Sequence, residues 1–366
     1  MRADICFETL VKAVGACRKC SRMNDVARVL SWANGPLPAK IMFIGEAPGR
    51  LGADQTGVPF HGDVAGRNFE LLLASSGMSR NEVFVTNAVA CNPRKSDGTN
   101  DTPSSQEIRN CADHLRTQIE IVQPAVVASL GARALEALAH IEPHGLTLSD
   151  DVRTSHRWFG RILVPLYHPG QRAMVHRNFH NQLSDYYFVA RLAFGRKKKR
   201  PILSPESRIA PELSWLVSRT LSTHHELSLF ALHKIVYLFE YEFLRLNGRR
   251  FTSLFLIRQK EGPYCTDLAS ALTRPDRVGA EVIFRQGKPF VRAAGSQASL
   301  FEASQVRPTN PDAEELLARI LARVRGLSDA RLKMMTYRTP PMRELLKQER
   351  SGRYCLNRPL LVAARA

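Results

Sequence analysis

Four short apolar runs, at 41–44, 83–85, Val126–Leu130 and 162–166, are the features that most restrict what this chain can fold into. Each is too short for a buried helix and reads as a buried strand. Between and after them, residues 65–76, Ser105–Val122, 132–140 and 178–194 carry helical periodicity. Strand-then-helix alternation requires a mostly parallel sheet with helices laid on it, an α/β layered fold. Such a sheet binds its ligands beyond the carboxyl ends of its strands. The stretch GEAPGRLGADQTGVPFHGD (45–63), Asn87 and His168 each stand just past a strand end, so they are expected to converge. Glycines and prolines in that stretch can neither extend a strand nor fill a helix, so its backbone is bent and open to close approach.

Near Gly195 the pattern breaks. GRKKKRPILSPES reads as a basic linker over 196–207, separating a first domain (1–195) from a second (208–366) that is mainly helical, α+β. Lys197, Lys198 and Lys199 read as a solvated connector, with phosphate contact as the alternative. The chain carries 52 Lys and Arg against 34 Asp and Glu, a net charge of +18 over 366 residues. That excess favours an anionic polymer such as DNA as partner, against a basic protein with no polyanionic partner. No apolar run approaches the ~18 residues of a membrane span, and the N-terminus has no small-residue cleavage signal after an apolar core. Seven cysteines, an odd number, argue against a disulfide framework. A cytoplasmic protein without membrane contact is expected.

Cys17 and Cys20 form a CxxC pair; Cys91 follows the strand at 83–85, and Cys111 lies in a helical stretch. Four cysteines in two groups ligate either zinc or an iron–sulfur cluster, whereas Cys91 and Cys111 alone would also serve as apolar packing. Cys6, Cys265 and Cys355 have no companion pattern.

The set ACRKC, GEAPG, TGVPFHGD, TNAVACNPR, VVASLGARAL and LYHPG, spread in order over residues 10–194, resembles the uracil-DNA glycosylase superfamily, nearest its iron–sulfur families four and five. The resemblance implies a three-layer α/β/α sandwich and a [4Fe–4S] cluster on Cys17, Cys20, Cys91 and Cys111. Glu46 looks like family four, while the spacing to Asp63 looks like family five. Asp63 then occupies the place of the aspartate that orients water or steadies a cationic sugar, and Asn87 that of the asparagine that bonds the base. Asp54 is read as a loop residue.

Cleaving an N-glycosidic bond leaves a positive sugar and a negative base, so it needs a carboxylate near one and donors near the other. The resemblance gives these roles to Asp63 and His168, with Phe60 stacking on an extruded base. Gly45 and Ala47, in the first turn, approach the base through their backbone, and Glu46 is the second candidate for handling water. The duller alternatives are an N-cap for Asp63, a strand-end role for His168 and a core position for Phe60. Gly52 falls where uracil-specific enzymes place a bulky residue against pyrimidine C5 substituents, so the resemblance implies a pocket open at C5. In PGQRAMVHRNFHNQ it implies Met174 as a wedge and Arg172, His176 and Arg177 as phosphate contacts, against a plain basic solvated loop.

In the second domain ALHKIVYLFEYEFLRLNGRRF, KEGPYC and MTYRTPPM look similar to the antitoxin-associated Panacea domain, over about residues 210–345. The likeness implies binding of a protein partner or DNA; the residues alone give a helical accessory domain with an amphipathic face. The combination points to a DNA glycosylase that leaves an abasic site without cutting the strand. Its expected target is modified (hydroxymethylated or glucosylated) cytosine in phage DNA, or uracil and other damaged bases in repair. A DNA-binding, antitoxin-like protein without turnover is the alternative of another class.

Overall fold

A computed structural model describes residues 3–195, 211–252, 254–272, 275–294 and 311–361. They form two compact units, one on either side of 196–210; the linker expected over 196–207 lies outside the described residues.

The first unit holds five strands, β1 (Ile41–Gly45), β2 (Val83–Asn87), β3 (Val126–Leu130), β4 (His156–Trp158) and β5 (Arg161–Leu166). They lie in the order β2-β1-β3-β5-β4, parallel except for the edge strand β4. The helices are α1 (Ala3–Ala16), α2 (Ala53–Thr56), α3 (Val64–Ser75), α4 (Ser105–Val122), α5 (Ala132–Ala139), α6 (Leu148–Asp151), α7 (Gln171–His176) and α8 (Phe179–Phe194). Because successive strand side chains point to opposite faces, Ile41 and Phe43 pack with Phe69, Leu72, Tyr186 and Val189 of α3 and α8. On the other face Phe84 meets Phe7 of α1 edge-on at 5.8 Å, and Thr86 bonds Gln118 of α4 at 2.8 Å. The three-layer α/β/α arrangement expected from the sequence is what forms.

Local chemistry sets the helix starts. Ser104 and Glu107 cap α4 reciprocally as a capping box, and Asp63 caps α3. The sequence reading did not anticipate β4, which joins β5 through Phe159 and Gly160, both at positive φ, the requirement of a tight hairpin.

In the second unit the long helix Leu229–Asn247 is buried along most of its length. It meets the hairpin Leu256–Gln259/Gly262–Cys265: Lys234 Nζ donates to the Pro263 carbonyl at 2.8 Å, and Cys265 N–H donates to His233 Nδ1 at 3.1 Å. Tyr237 Oη lies 2.6 Å from Thr339 Oγ1. The three stretches singled out by sequence in this region therefore bond to one another. A three-stranded antiparallel sheet, formed by Glu226–Ser228, Lys288–Ala293 and Ala280–Arg285, completes an α+β unit. No helix among the described residues is long and apolar enough to cross a membrane.

Candidate active site

At the carboxyl edge of the sheet, parallel register sets Gly45 of β1 beside Asn87 of β2. A Cβ at Gly45 would meet Asn87 Oδ1 at 2.5 Å and the Phe60 ring at 2.6 Å. Glycine here lets an amide and an aromatic ring close on the strand end. Phe60 has φ 50°, which non-glycine residues rarely adopt and which surrounding structure must enforce. Arg80 supplies that restraint. Its guanidinium donates to the carbonyls of Pro59 (2.7 Å) and Phe60 (2.8 Å), pairs with Glu70 at 2.7 Å and lies 4.8 Å over the Phe69 ring.

Asp63 accepts the Gly66 N–H through Oδ1 at 2.8 Å, so the capping role is present. Its Oδ2 rests against Gly49 and Gly52; a Cβ on Gly49 would come within 2.5 Å of it, and one on Gly52 would collide outright. Gly52 thus gives its space to the carboxylate and is not part of the cavity wall. That differs from the sequence expectation, in which the missing side chain opened the pocket toward C5. Gly45 likewise stands behind Asn87 and Phe60 instead of lining the cavity.

His168 follows β5, its ring centroid 5.5 Å from that of Phe60. Its Nδ1 accepts the Gly170 N–H at 3.0 Å, which assigns the proton of the neutral ring to Nε2. Burial lowers its pKa to about 4 against the opposing pull of Asp63, so the ring is neutral near pH 7. Burial raises the carboxyl pKa of Glu46, with Arg133 acting the other way.

A cavity of about 380 Å³ gathers these groups. Glu46, Ala47, Phe60, Asp63, Asn87, His168 and Arg172 are among the residues that line it. A further part of the wall comes from the loop after β2, through Asn92, Lys95, Asn100, Asp101 and Thr102. Sequence reasoning missed this wall and what fastens it. Asn92 Nδ2 donates to the Pro48 carbonyl at 2.5 Å and to Asn100 Oδ1 at 3.0 Å, and Asn100 Oδ1 also accepts the Arg50 N–H at 2.9 Å. Asp54, read as a plain loop residue, is a buried carboxylate paired with Arg94 and bonded to the Ala27 N–H at 3.1 Å.

The segment after His168 departs from expectation. Arg172 reaches the cavity and His176 is exposed. Arg177 instead makes two 2.5 Å bonds to Asp185, which is 1 % exposed, because a buried carboxylate demands a charged partner. Met174 folds back, its sulfur 3.8 Å from the Asn68 amide. The side chain projecting from α7 is that of Val175, 85 % exposed.

Cys17 and Cys20 after α1, Cys91 after β2 and Cys111 on α4 line one small hollow. Asn110 donates to Cys20 Sγ at 3.3 Å. Burial pushes the Cys91 thiol up to about 11 and the Cys111 thiol up to about 12, and the neighbouring thiols add to both shifts. Cys91 and Cys111 would therefore ionise only beside a cationic centre. Among the described residues no three His, Cys, Asp or Glu side chains are set to hold a single metal ion. Four thiols around a shared hollow suit a thiolate-bound centre, zinc or iron–sulfur.

Fold and site together define an α/β enzyme whose polar groups converge beyond the carboxyl ends of a parallel sheet. Residues 33–190 match the family model described as the uracil DNA glycosylase superfamily. The chain is 32 % identical to the type-4 uracil-DNA glycosylase of Archaeoglobus fulgidus, over 44 % of this chain and 81 % of that protein. It is 32 % identical to the type-4 enzyme of Thermotoga maritima (48 % and 86 % covered) and 32 % identical to the type-5 enzyme of Thermus thermophilus (36 % and 71 % covered). The chain belongs to the uracil-DNA glycosylase superfamily, and by that membership it is a hydrolase of the DNA glycosylase class.

Proposed function

We propose that the first unit binds a base extruded from DNA and hydrolyses its N-glycosidic bond, leaving an abasic site. The observation that carries this reading is the placement of Asp63 and His168 on one cavity with Asn87 and Phe60. Phe60 offers a ring face and Asn87 an amide to the base. As the bond lengthens, Asp63 steadies the positive sugar. His168 Nε2–H donates to the base, which carries the departing electron pair. Glu46 is the second group able to orient water. A water oxygen then bonds to the sugar carbon and its proton leaves to solvent or base. Among the described residues the one lysine that lines this cavity is Lys95, and the reaction is proposed to end at the abasic site.

Cys17, Cys20, Cys91 and Cys111 would hold a [4Fe–4S] cluster, whose thiolate ligation ties the end of α1, the loop after β2 and α4 into one body. DNA is the partner that a net charge of +18 favours, with Arg172 and His176 at the rim.

For the target base, the cavity falls in the range of small-molecule sites, roughly 300–1,000 Å³, and small residues (Ala47, Ala53 and Ala65) line part of it. That room supports bases carrying a C5 substituent, including hydroxymethylated or glucosylated cytosine, and with them a part in defence against phage. The similarity to type-4 and type-5 uracil-DNA glycosylases favours uracil and damaged bases in repair. The second unit, whose three sequence stretches look similar to the Panacea domain, would engage a protein partner or DNA. The test is a panel of DNAs containing uracil, hydroxymethylcytosine or its glucoside, with the released base identified by mass spectrometry. Release of a substituted cytosine supports the defence reading; release of uracil alone contradicts it.

A further inference from the structure

Arg22, two residues beyond Cys20, has every edge of its guanidinium engaged. Nε and Nη2 bond the two Glu107 carboxylate oxygens at 2.6 and 2.7 Å, Nη1 bonds Asp101 Oδ2 at 2.6 Å, and Nη2 also donates to the Thr102 carbonyl at 3.1 Å. Glu107 lies one helical turn before Cys111, closes the capping box of α4 and lines the cysteine hollow. Asp101 and Thr102 line the base cavity. A single side chain thus joins the cysteine centre to the lining of the pocket, across loops distant in sequence.

We propose that Arg22 is a positioning residue that fixes the depth of the pocket: it locks Asp101 and Thr102 in place and makes the wall depend on the cysteine centre. The inference rests on the reading of the first unit as a DNA glycosylase. A lysine cannot replace the fork, because an ammonium is a point charge and satisfies one of these acceptors where guanidinium satisfies several. Arg22 does not itself line the cavity and bonds Glu107, Asp101 and Thr102, not Asp63 or His168, so its removal should weaken substrate capture more than bond cleavage, the pattern of lost uniform binding.

The experiment uses full-length protein and single-turnover kinetics on an oligonucleotide from which the wild type releases a base. Arg22→Ala and Arg22→Lys should each raise the half-saturating DNA concentration about tenfold, the scale of one charged hydrogen bond lost. The saturated rate should fall less than about threefold. Trypsin should cut after Lys95 faster than in the wild type while iron content stays equal. If Arg22 acts through Asp101, the double variant Arg22→Ala/Asp101→Ala should be no worse than the poorer single variant. Multiplying defects, full rescue by lysine, or a fall confined to the saturated rate would each overturn the proposal. A wild type inactive on every base tested would overturn the glycosylase reading itself and so is distinguishable from failure at Arg22.

Discussion

Asp63 carries two duties on separate oxygens, Oδ1 capping α3 and Oδ2 held between Gly49 and Gly52, and substitution separates them. Asn caps a helix about as well as Asp, so Asp63→Asn should keep the melting temperature while lowering the single-turnover rate about 100–1000-fold. Asp63→Ala should lose both, with about 1 kcal/mol of stability gone with the cap. Gly52→Ala should mimic the rate loss by pushing Oδ2 aside; a Gly52→Ala protein that merely gained selectivity against C5 substituents would favour the sequence-based expectation instead. Acid tests the histidines. Burial lowers the pKa of both His61 and His168 to about 4, below the ordinary 6.5, so the unfolded chain binds more protons between those values. Stability is therefore whole above about pH 6.5 and drains as pH falls toward 4, by on the order of 2–3 kcal/mol for each residue. Thermal melts from pH 7.5 to 4.5 should show this, and His168→Gln should flatten the slope.

The element that most needs its three-dimensional setting is α7. Its sequence, QRAMVH, makes Met174 as good a wedge as Val175, and only the phase of a six-residue helix decides which projects. The partner of Arg177 lies eight residues on, in α8, beyond any local pattern. Arg177→Ala should thus act as a folding defect of about 3 kcal/mol, because Asp185 would be left buried and unpaired. Arg172→Ala should leave the melt unchanged and reduce the salt slope of DNA binding by about 1. Apolar runs and helical stretches were legible because their signals are local: periodicity marks Ser105–Val122 as α4, and Asp63 offers the cap of α3. The convergence of strand-end residues on one cavity was legible for the same reason, through the glycine-rich turn and the position of Asn87 and His168. The pocket wall was not, since Asp101 is held from Arg22 and Asn92 from Pro48. Nor was β4, three residues long and paired only on one side.

At the scale of the whole molecule, charge and layering act together. A net charge of +18 predicts DNA affinity that falls steeply between 50 and 200 mM salt, linear on a log–log plot, measurable by fluorescence anisotropy. The sandwich places the Asp63 carboxylate, the neutral His168 imidazole and the Phe60 ring on one cavity at the carboxyl edge of the sheet, and the loop after β2 carries both Cys91 of the cysteine hollow and residues that line that cavity. The most direct measurement is abasic-site formation on base-modified DNA under single-turnover conditions, with binding recorded in parallel, for the wild type, Asp63→Asn and His168→Ala. The account predicts alkali-labile sites from the wild type and a loss of at least about 100-fold in each variant, with dissociation constants within about threefold of wild type. Variants that cut as fast as the wild type, or that lose activity only because they no longer bind DNA, would contradict it.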